Sequence, residues 1–321
     1  MNQTRPLKEA TYESIQVSEE FGPVEVTVDD RMIKSFAFTQ DDYNPWHFRR
    51  SPFGARIGHA AILAQDLLLL FTTVYDHNTV IGLHAEQELL FSNPVFLGET
   101  ATLRCRYVDK YERRGNGYWV MAGEAHGEDG RLLISHRAVE LVRITSSTKV
   151  GGGTAPGSGE RVTGEYRHDL APAARARRGL APGTPLVSLT KRTTIEQTWV
   201  FSAARKYVRT IHTDPERAAV AGFPLTVVQG QQQACYVAEL LTMFFGRLWF
   251  TSGRIKLKFI NPLLAGETAI VGGVVQSYSV DDGGSPRLNL DVWVRNSDER
   301  LLTVGWASAA LEQIPSKVLE A

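Results

Sequence analysis

The sequence predicts an α+β fold built twice in tandem, each copy an antiparallel sheet wrapped around one buried helix. Three observations predict it. The segment Phe91-Ser92-Asn93-Pro94-Val95-Phe96-Leu97-Gly98-Glu99-Thr100 recurs as Phe259-Ile260-Asn261-Pro262-Leu263-Leu264-Ala265-Gly266-Glu267-Thr268, with six identical positions and a spacing of 168 residues (259 minus 91). An apolar helical run precedes each copy, at residues 59–75 and 229–245. Alternating strand-like runs follow each copy, at 101–109 and 118–124 in the first and 269–277 and 288–295 in the second.

Taken in order, residues 1–20 are polar and lack the apolar core of a signal peptide. A helix-like run at 32–39 leads into Asp42-Tyr43-Asn44-Pro45-Trp46-His47. The run at 59–75 is apolar on nearly all sides (Ala60, Ala61, Ile62, Leu63, Ala64, Leu67 to Phe71), which marks a buried helix. Hairpin turns follow at Arg114-Gly115-Asn116-Gly117 and Asp129-Gly130. Cys105 alternates with Leu103 and Tyr107 and so faces the core. The Gly/Pro-rich stretch 146–185 divides the chain into an N-terminal domain, 1–145, and a C-terminal domain, 186–321. Within that stretch the basic run Arg175-Ala176-Arg177-Arg178 reads as linker crossing the surface.

The chemistry concentrates in the segment from Asp42 to His47, which reads D-x-N-P-x-H. Asn-Pro breaks regular structure, so the carboxylate sits at the end of a helix while the imidazole folds back over it from a loop. Two groups that titrate on either side of neutrality, held at one small volume, suit proton abstraction coupled to protonation. Asn44 reads as the residue that fixes the loop or a water. Tyr43 and Trp46 either shape a pocket or pack as turn residues, and the Arg49-Arg50 pair is the nearest cluster able to grip a phosphate.

These residues, with Ser35 to Asp41 before them and Phe53-Gly54-Ala55-Arg56-Ile57-Gly58-His59-Ala60-Ala61-Ile62 after them, resemble the MaoC-like family of (R)-specific enoyl-CoA hydratases and acyl dehydratases. In that family a helical turn leads into G-D-x-N-P-x-H, and an I-x-H-G-like segment then opens a long apolar helix. The resemblance implies hotdog folds, here a double hotdog, and Asp42 and His47 as the catalytic pair. Asp41 departs from the family's Gly and Ala60 from the Gly after His, without removing a catalytic group. A thioester α-proton is acidic only if the enolate oxygen is stabilised. The start of the apolar helix, His59-Ala60-Ala61, is the candidate donor of free N–H groups.

The second half keeps the scaffold without the chemistry. Aligning His212 with His47 puts Tyr207 at Asp42, Arg209 at Asn44 and Thr210 at Pro45, and Gln229 replaces His59. The carboxylate is gone, so this half is expected to support the first and to wall part of the acyl channel. Tyr207 and Arg209 keep open an acyl group with a polar or acidic end, an arginine near the channel being suited to a second carboxylate.

Composition excludes several classes. The 35 basic and 35 acidic residues cancel, leaving no global field to recruit nucleic acid or an anionic membrane. Leu67 to Phe71 is bounded by Asp66 and Asp76 and falls short of a span. Cys105 and Cys235 lack metal-ligand spacing and read as buried thiols in a reducing, cytoplasmic setting. The eight histidines form no HxH or HxxxH pair and no GxGxxG follows a strand, so neither metal nor cofactor is expected. The expected partner is an acyl-CoA or acyl-carrier-protein thioester, and a homodimer of double hotdogs stays open. Two other readings compete: a hotdog thioesterase using Asp66 or Glu239, and a non-catalytic acyl-binding subunit.

Overall fold

The computed structural model describes residues 6–79, 82–142, 162–202 and 209–312. The first unit supplies strands β1 (Glu20–Thr27), β2 (Gly82–Phe91), β3 (Thr100–Arg113), β4 (Asn116–His126) and β5 (Leu132–Val142). The second supplies β6 (Leu189–Arg192), β7 (Arg254–Phe259), β8 (Thr268–Val280), β9 (Pro286–Asn296) and β10 (Leu301–Ala310). All ten form one antiparallel sheet in the order β1-β3-β4-β5-β2-β7-β10-β9-β8-β6. The order reads alike from either edge once the two copies are equated, so each unit repeats the other about a pseudo-twofold axis.

Alternation builds these strands. Along β3 Ala101, Leu103, Cys105 and Tyr107 are buried while Arg104 and Arg106 are exposed. The β3–β4 hairpin turns through Arg114 and Gly115 with φ of 52° and 76°, the left-handed pair that a two-residue hairpin needs. The seam between units is the β2–β7 pairing, in which Glu88 faces Lys256 and Glu86 faces Lys258. The Lys256–Glu88 ion pair closes to 2.6 Å, so these lysines serve the seam.

The recurring decapeptide does the same work in both units. Asn93 and Asn261 donate their side-chain amides to the Leu132 and Leu301 carbonyls at 2.8 and 2.7 Å. Glu99 and Glu267 accept the backbone N–H three residues back, at 3.0 and 2.9 Å. Gly98 and Gly266 take φ of 85° and 86°, where a side chain is strained.

The described residues form six helices: α1 (Asp30–Gln40), α2 (Ala64–Leu69), α3 (Ile195–Ser202), α4 (Pro215–Val220), α5 (Gly230–Phe245) and α6 (Arg247–Ser252). The long buried α5 lies where the apolar run at 229–245 places it, with Gln229 as its N-cap. The first central helix is shorter than the expected 59–75. Residues 60–63 are turns, α2 spans Ala64–Leu69, and a 3-10 turn continues over Leu70–Thr73. Thr72 and Thr73 hydroxyls donate to the Leu69 and Leu70 carbonyls at 2.7 and 2.8 Å, competing with the α-helical ladder there. Residues 146–161 of the predicted linker lie outside the described residues. Residues 162–185 lie against the second unit: Val162 packs on Val274 and Trp293, and the Ala176 N–H reaches the Phe244 carbonyl at 2.8 Å. One continuous apolar core joins the units and contains both Cys105 and Cys235, each a free buried thiol. Among the described residues no helix is long and apolar enough to cross a membrane.

Candidate active site

Asp29 caps α1 by accepting the Met32 N–H at 2.7 Å, and the helix ends at Gln40. Asp41 then adopts φ 50°, ψ 39°, the left-handed C-cap conformation in which glycine is usual. This reversal turns the chain so that the Asp42 N–H returns to the Ala37 carbonyl at 2.9 Å. Asp42 Oδ1 accepts the Asn44 N–H at 3.0 Å, and Asn44 Oδ1 accepts the Trp46 N–H at 3.1 Å. Pro45 opens a 3-10 turn, Pro45–His47, that carries the imidazole back over the carboxylate. Asn44 is therefore the loop-fixing residue.

Asp42 and His47 are buried, at 5% and 1% exposure. His47 Nε2 stands 3.1 Å from Asp42 Oδ2, and its Nδ1 stands 3.1 Å from the Ile57 carbonyl oxygen. Burial would raise the Asp42 pKa, but the His47 hydrogen bond, the nearby His59 and His47 charges and the Asn44 N–H hold it down at about 2. Both ring nitrogens of His47 face oxygen atoms, Nδ1 the Ile57 carbonyl and Nε2 the Asp42 carboxylate. His59 Nδ1 accepts the Ala61 N–H at 3.0 Å, which leaves the proton of the neutral ring on Nε2. That Nε2 is buried without a hydrogen-bond partner, 3.9 Å from Asp42 Oδ2. Burial lowers the His59 pKa to about 4, with Asp42 opposing, so this ring is neutral near pH 7. The neutral His59 ring, the Asp42 carboxylate and the His47 imidazole thus converge on one small buried volume.

The other expected site residues divide. The Ala61 N–H is already taken by His59, and residues 60–63 are turns, so no helix terminus stands there. Among the described residues neither the His59 nor the Ala60 backbone N–H meets an acceptor, which leaves these two as candidate donors for a developing oxyanion. Tyr43 is 60% exposed and stacks on Phe48. Trp46 packs on Phe250 of the second unit, so it serves the core. Arg49 is exposed. Arg209, expected near the channel, is paired with Asp214 and with Glu216 at 3.1 Å, because Asp214 caps α4 within its reach. Tyr207 lies outside the described residues. Asp66 lies on α2, and Glu239 on α5 is ion-paired with Lys191 at 2.7 Å.

The second unit keeps the histidine scaffold. His212 Nδ1 reaches the Val227 carbonyl at 2.7 Å, as His47 reaches Ile57. A cavity of about 250 Å³ opens on this side, walled by Leu68, Tyr107, Trp119 and Met121 of the first unit and His212 and Val228 of the second. Asp42, His47 and His59 do not line it. Sequence reasoning missed the second-unit residues that meet the helix leading to Asp42: Lys191 and Gln232 at its terminal carbonyls and Phe201 against Phe36. Lys191 is a cation at an inward position of a short strand, a signal readable only once the register is known.

Residues 15–126 match the family model described as FAS1-like, dehydratase domain region. No curated protein matches the chain. A MaoC-like dehydratase of known structure is similar with a TM-score of 0.73 at 13% identity, covering 94% of this chain and 100% of that one. A MaoC-like dehydratase from Phytophthora capsici gives 0.62 at 14% identity, covering 93% and 97%. A Mycobacterium tuberculosis protein described as a double hotdog fold gives 0.63 at 15%, covering 97% and 99%. At such identities the likeness establishes architecture, while the family match falls on the unit that carries Asp42 and His47. The chain thus has a double hotdog fold, and residues 15–126 of its first unit are similar to the FAS1-like dehydratase domain region.

Proposed function

We propose that this protein adds water to a 2-enoyl thioester, or removes it from the 3-hydroxyacyl thioester, with the acyl group carried on CoA or a carrier protein. The observation that carries the reading is the buried Asp42–His47 contact with a neutral His59 beside it. In hydration a water lies against Asp42 and His47. The pair takes a proton from it as its oxygen attacks the β-carbon, and returns a proton at the α-carbon. Dehydration runs the same steps in reverse. The Ala60 N–H stabilises the enolate oxygen, and His59 Nε2–H orients the attacking or leaving oxygen. The dehydratase family match and the MaoC-like fold support this reading over the alternatives. Against a thioesterase stands the engagement of Glu239 by Lys191.

The test is loss of the enoyl thioester absorbance with crotonyl-CoA and with longer and branched enoyl-CoAs. Hydration without thiol release is the expected result. Thiol release without hydration would favour the thioesterase.

A further inference from the structure

A helix leaves its last four carbonyls without intrahelical partners. At the end of α1 these carbonyls stand beside Asp42, and each receives a side chain from the second unit. Gln197 Nε2, on α3, donates to the Phe38 carbonyl at 2.8 Å. Gln232 Nε2, on α5, donates to the Thr39 carbonyl at 2.8 Å. Lys191 Nζ, on the edge strand β6, donates to the Gln40 and Asp41 carbonyls at 2.9 and 3.0 Å. The ammonium's third donor goes to Glu239 at 2.7 Å. Lys191 and Glu239 are buried, at 5% and 7% exposure. A cation at a helix C-terminus also meets the negative end of the dipole.

We propose that Lys191, oriented by Glu239, is a positioning residue for Asp42, so that the unit lacking the acid–base pair caps the helix that presents it. The inference rests on Asp42 and His47 being the reacting pair. Asp41 is a non-glycine residue held at positive φ, a conformation that persists when surrounding contacts fix it. Lys191 grips the carbonyls on both sides of that reversal. Without it the Asp41–Asp42 turn relaxes, and a shift of about 1 Å at a reacting group costs on the order of 100-fold in rate. Lys191 acts through backbone carbonyls and touches no reacting atom.

The experiment compares wild type, Lys191→Arg, Glu239→Gln and the double variant Lys191→Met/Glu239→Gln, which leaves no unpaired buried carboxylate. The seam variant Lys256→Met is the control for lost interunit contact. Crotonyl-CoA hydration gives kcat and KM, and hydrogen exchange of the 38–44 segment reports on the cap without substrate. The expected result for the double variant is a kcat lower by about 10–100-fold, KM within about 2-fold, and faster exchange confined to the end of α1. Lys256→Met leaves kcat and that exchange unchanged. Wild-type kcat in the double variant overturns the proposal. If wild type hydrates no thioester the hydratase reading fails on its own. The exchange data then decide the cap, and unchanged protection at 38–44 overturns it. If the double variant does not fold, Lys191→Arg decides, because a planar guanidinium cannot place one nitrogen against both carbonyls and Glu239; unchanged kcat and exchange there overturn the proposal.

Discussion

His212 Nδ1 lies 2.7 Å from the Val227 carbonyl oxygen, the counterpart of the 3.1 Å contact between His47 Nδ1 and Ile57. The ring orientation is shared by both units, whereas among the described residues a carboxylate meets the imidazole in the first alone. Geometry of the imidazole is thus a property of the repeated scaffold, and in the proposed mechanism the added Asp42 is what makes the first unit the reacting one. The two histidines therefore separate cleanly by substitution. His212→Gln is expected to keep hydration within about 3-fold of wild type, and His47→Gln to lose on the order of 10²–10⁴-fold. Equal losses in the two variants would contradict a single catalytic half.

Acid stability follows from Asp42. Its folded pKa of about 2 lies below the ordinary 3.8 because the His47 hydrogen bond and the two histidine charges outweigh burial. A depressed carboxylate contributes stability above its unfolded pKa and loses it as pH falls through the folded value. The window is therefore about pH 4 to 2, and the contribution is about 2 kcal/mol. The difference in unfolding free energy between wild type and Asp42→Asn is expected to shrink across that window in urea titrations. A difference independent of pH would mean that the pair is not formed.

Glu140 predicts the opposite sign at higher pH. Burial lifts its pKa from 4.5 to about 8, and the nearest imidazole, His84 at 3.9 Å, is held neutral by its own burial. The folded state keeps a proton that the unfolded state releases above about pH 4.5, so stability falls as pH rises from there toward 8. Glu140→Gln removes that dependence. Its stability relative to wild type is expected to rise by a few kcal/mol between pH 5 and pH 8, read from denaturant midpoints. Parallel pH profiles for the two proteins would contradict a protonated carboxyl at this half-buried position.

Packing at the β3–β4 pair gives a stability prediction free of titration. A Cβ on Gly123 would stand 2.0 Å from Cys105 Sγ and 2.6 Å from the Arg104 carbonyl oxygen. Gly123→Ala is expected to destabilise by roughly 1–3 kcal/mol, since a tight core cannot move both neighbours aside. Adding Cys105→Ala recovers only part of the loss, because the backbone contact stays. A melting temperature unchanged in Gly123→Ala would show that the strands are spaced more widely than described.

Much of the fold was legible because its signals are local. The decapeptide repeat, the apolar run at 229–245, the inward Cys105 and the D-x-N-P-x-H turn each depend on residues close in sequence, and each recurs in the structure where expected. The residues that sequence missed act over long separations. Lys191 meets Gln40 across 151 residues, and Gln232 meets Thr39 across 193. No periodicity encodes such contacts; they follow from how two units pack. The first central helix was read too long because an apolar run fixes burial without fixing whether Thr72 and Thr73 keep the α-helical ladder. Arg209 was assigned toward the channel by its position opposite Asn44, while the capping Asp214 nearby claims its charge. Tyr43 and Trp46 lie within the Asp42–His47 turn, yet one points to solvent and the other to the core.

The most direct measurement is steady-state hydration of enoyl-CoA by wild type, Asp42→Asn and His47→Gln, with folding checked by circular dichroism. The account predicts turnover by wild type and a fall on the order of 10²-fold or more in each variant with the fold intact. Folded variants that turn over the substrate as fast as wild type would contradict the assignment of Asp42 and His47 as the reacting pair.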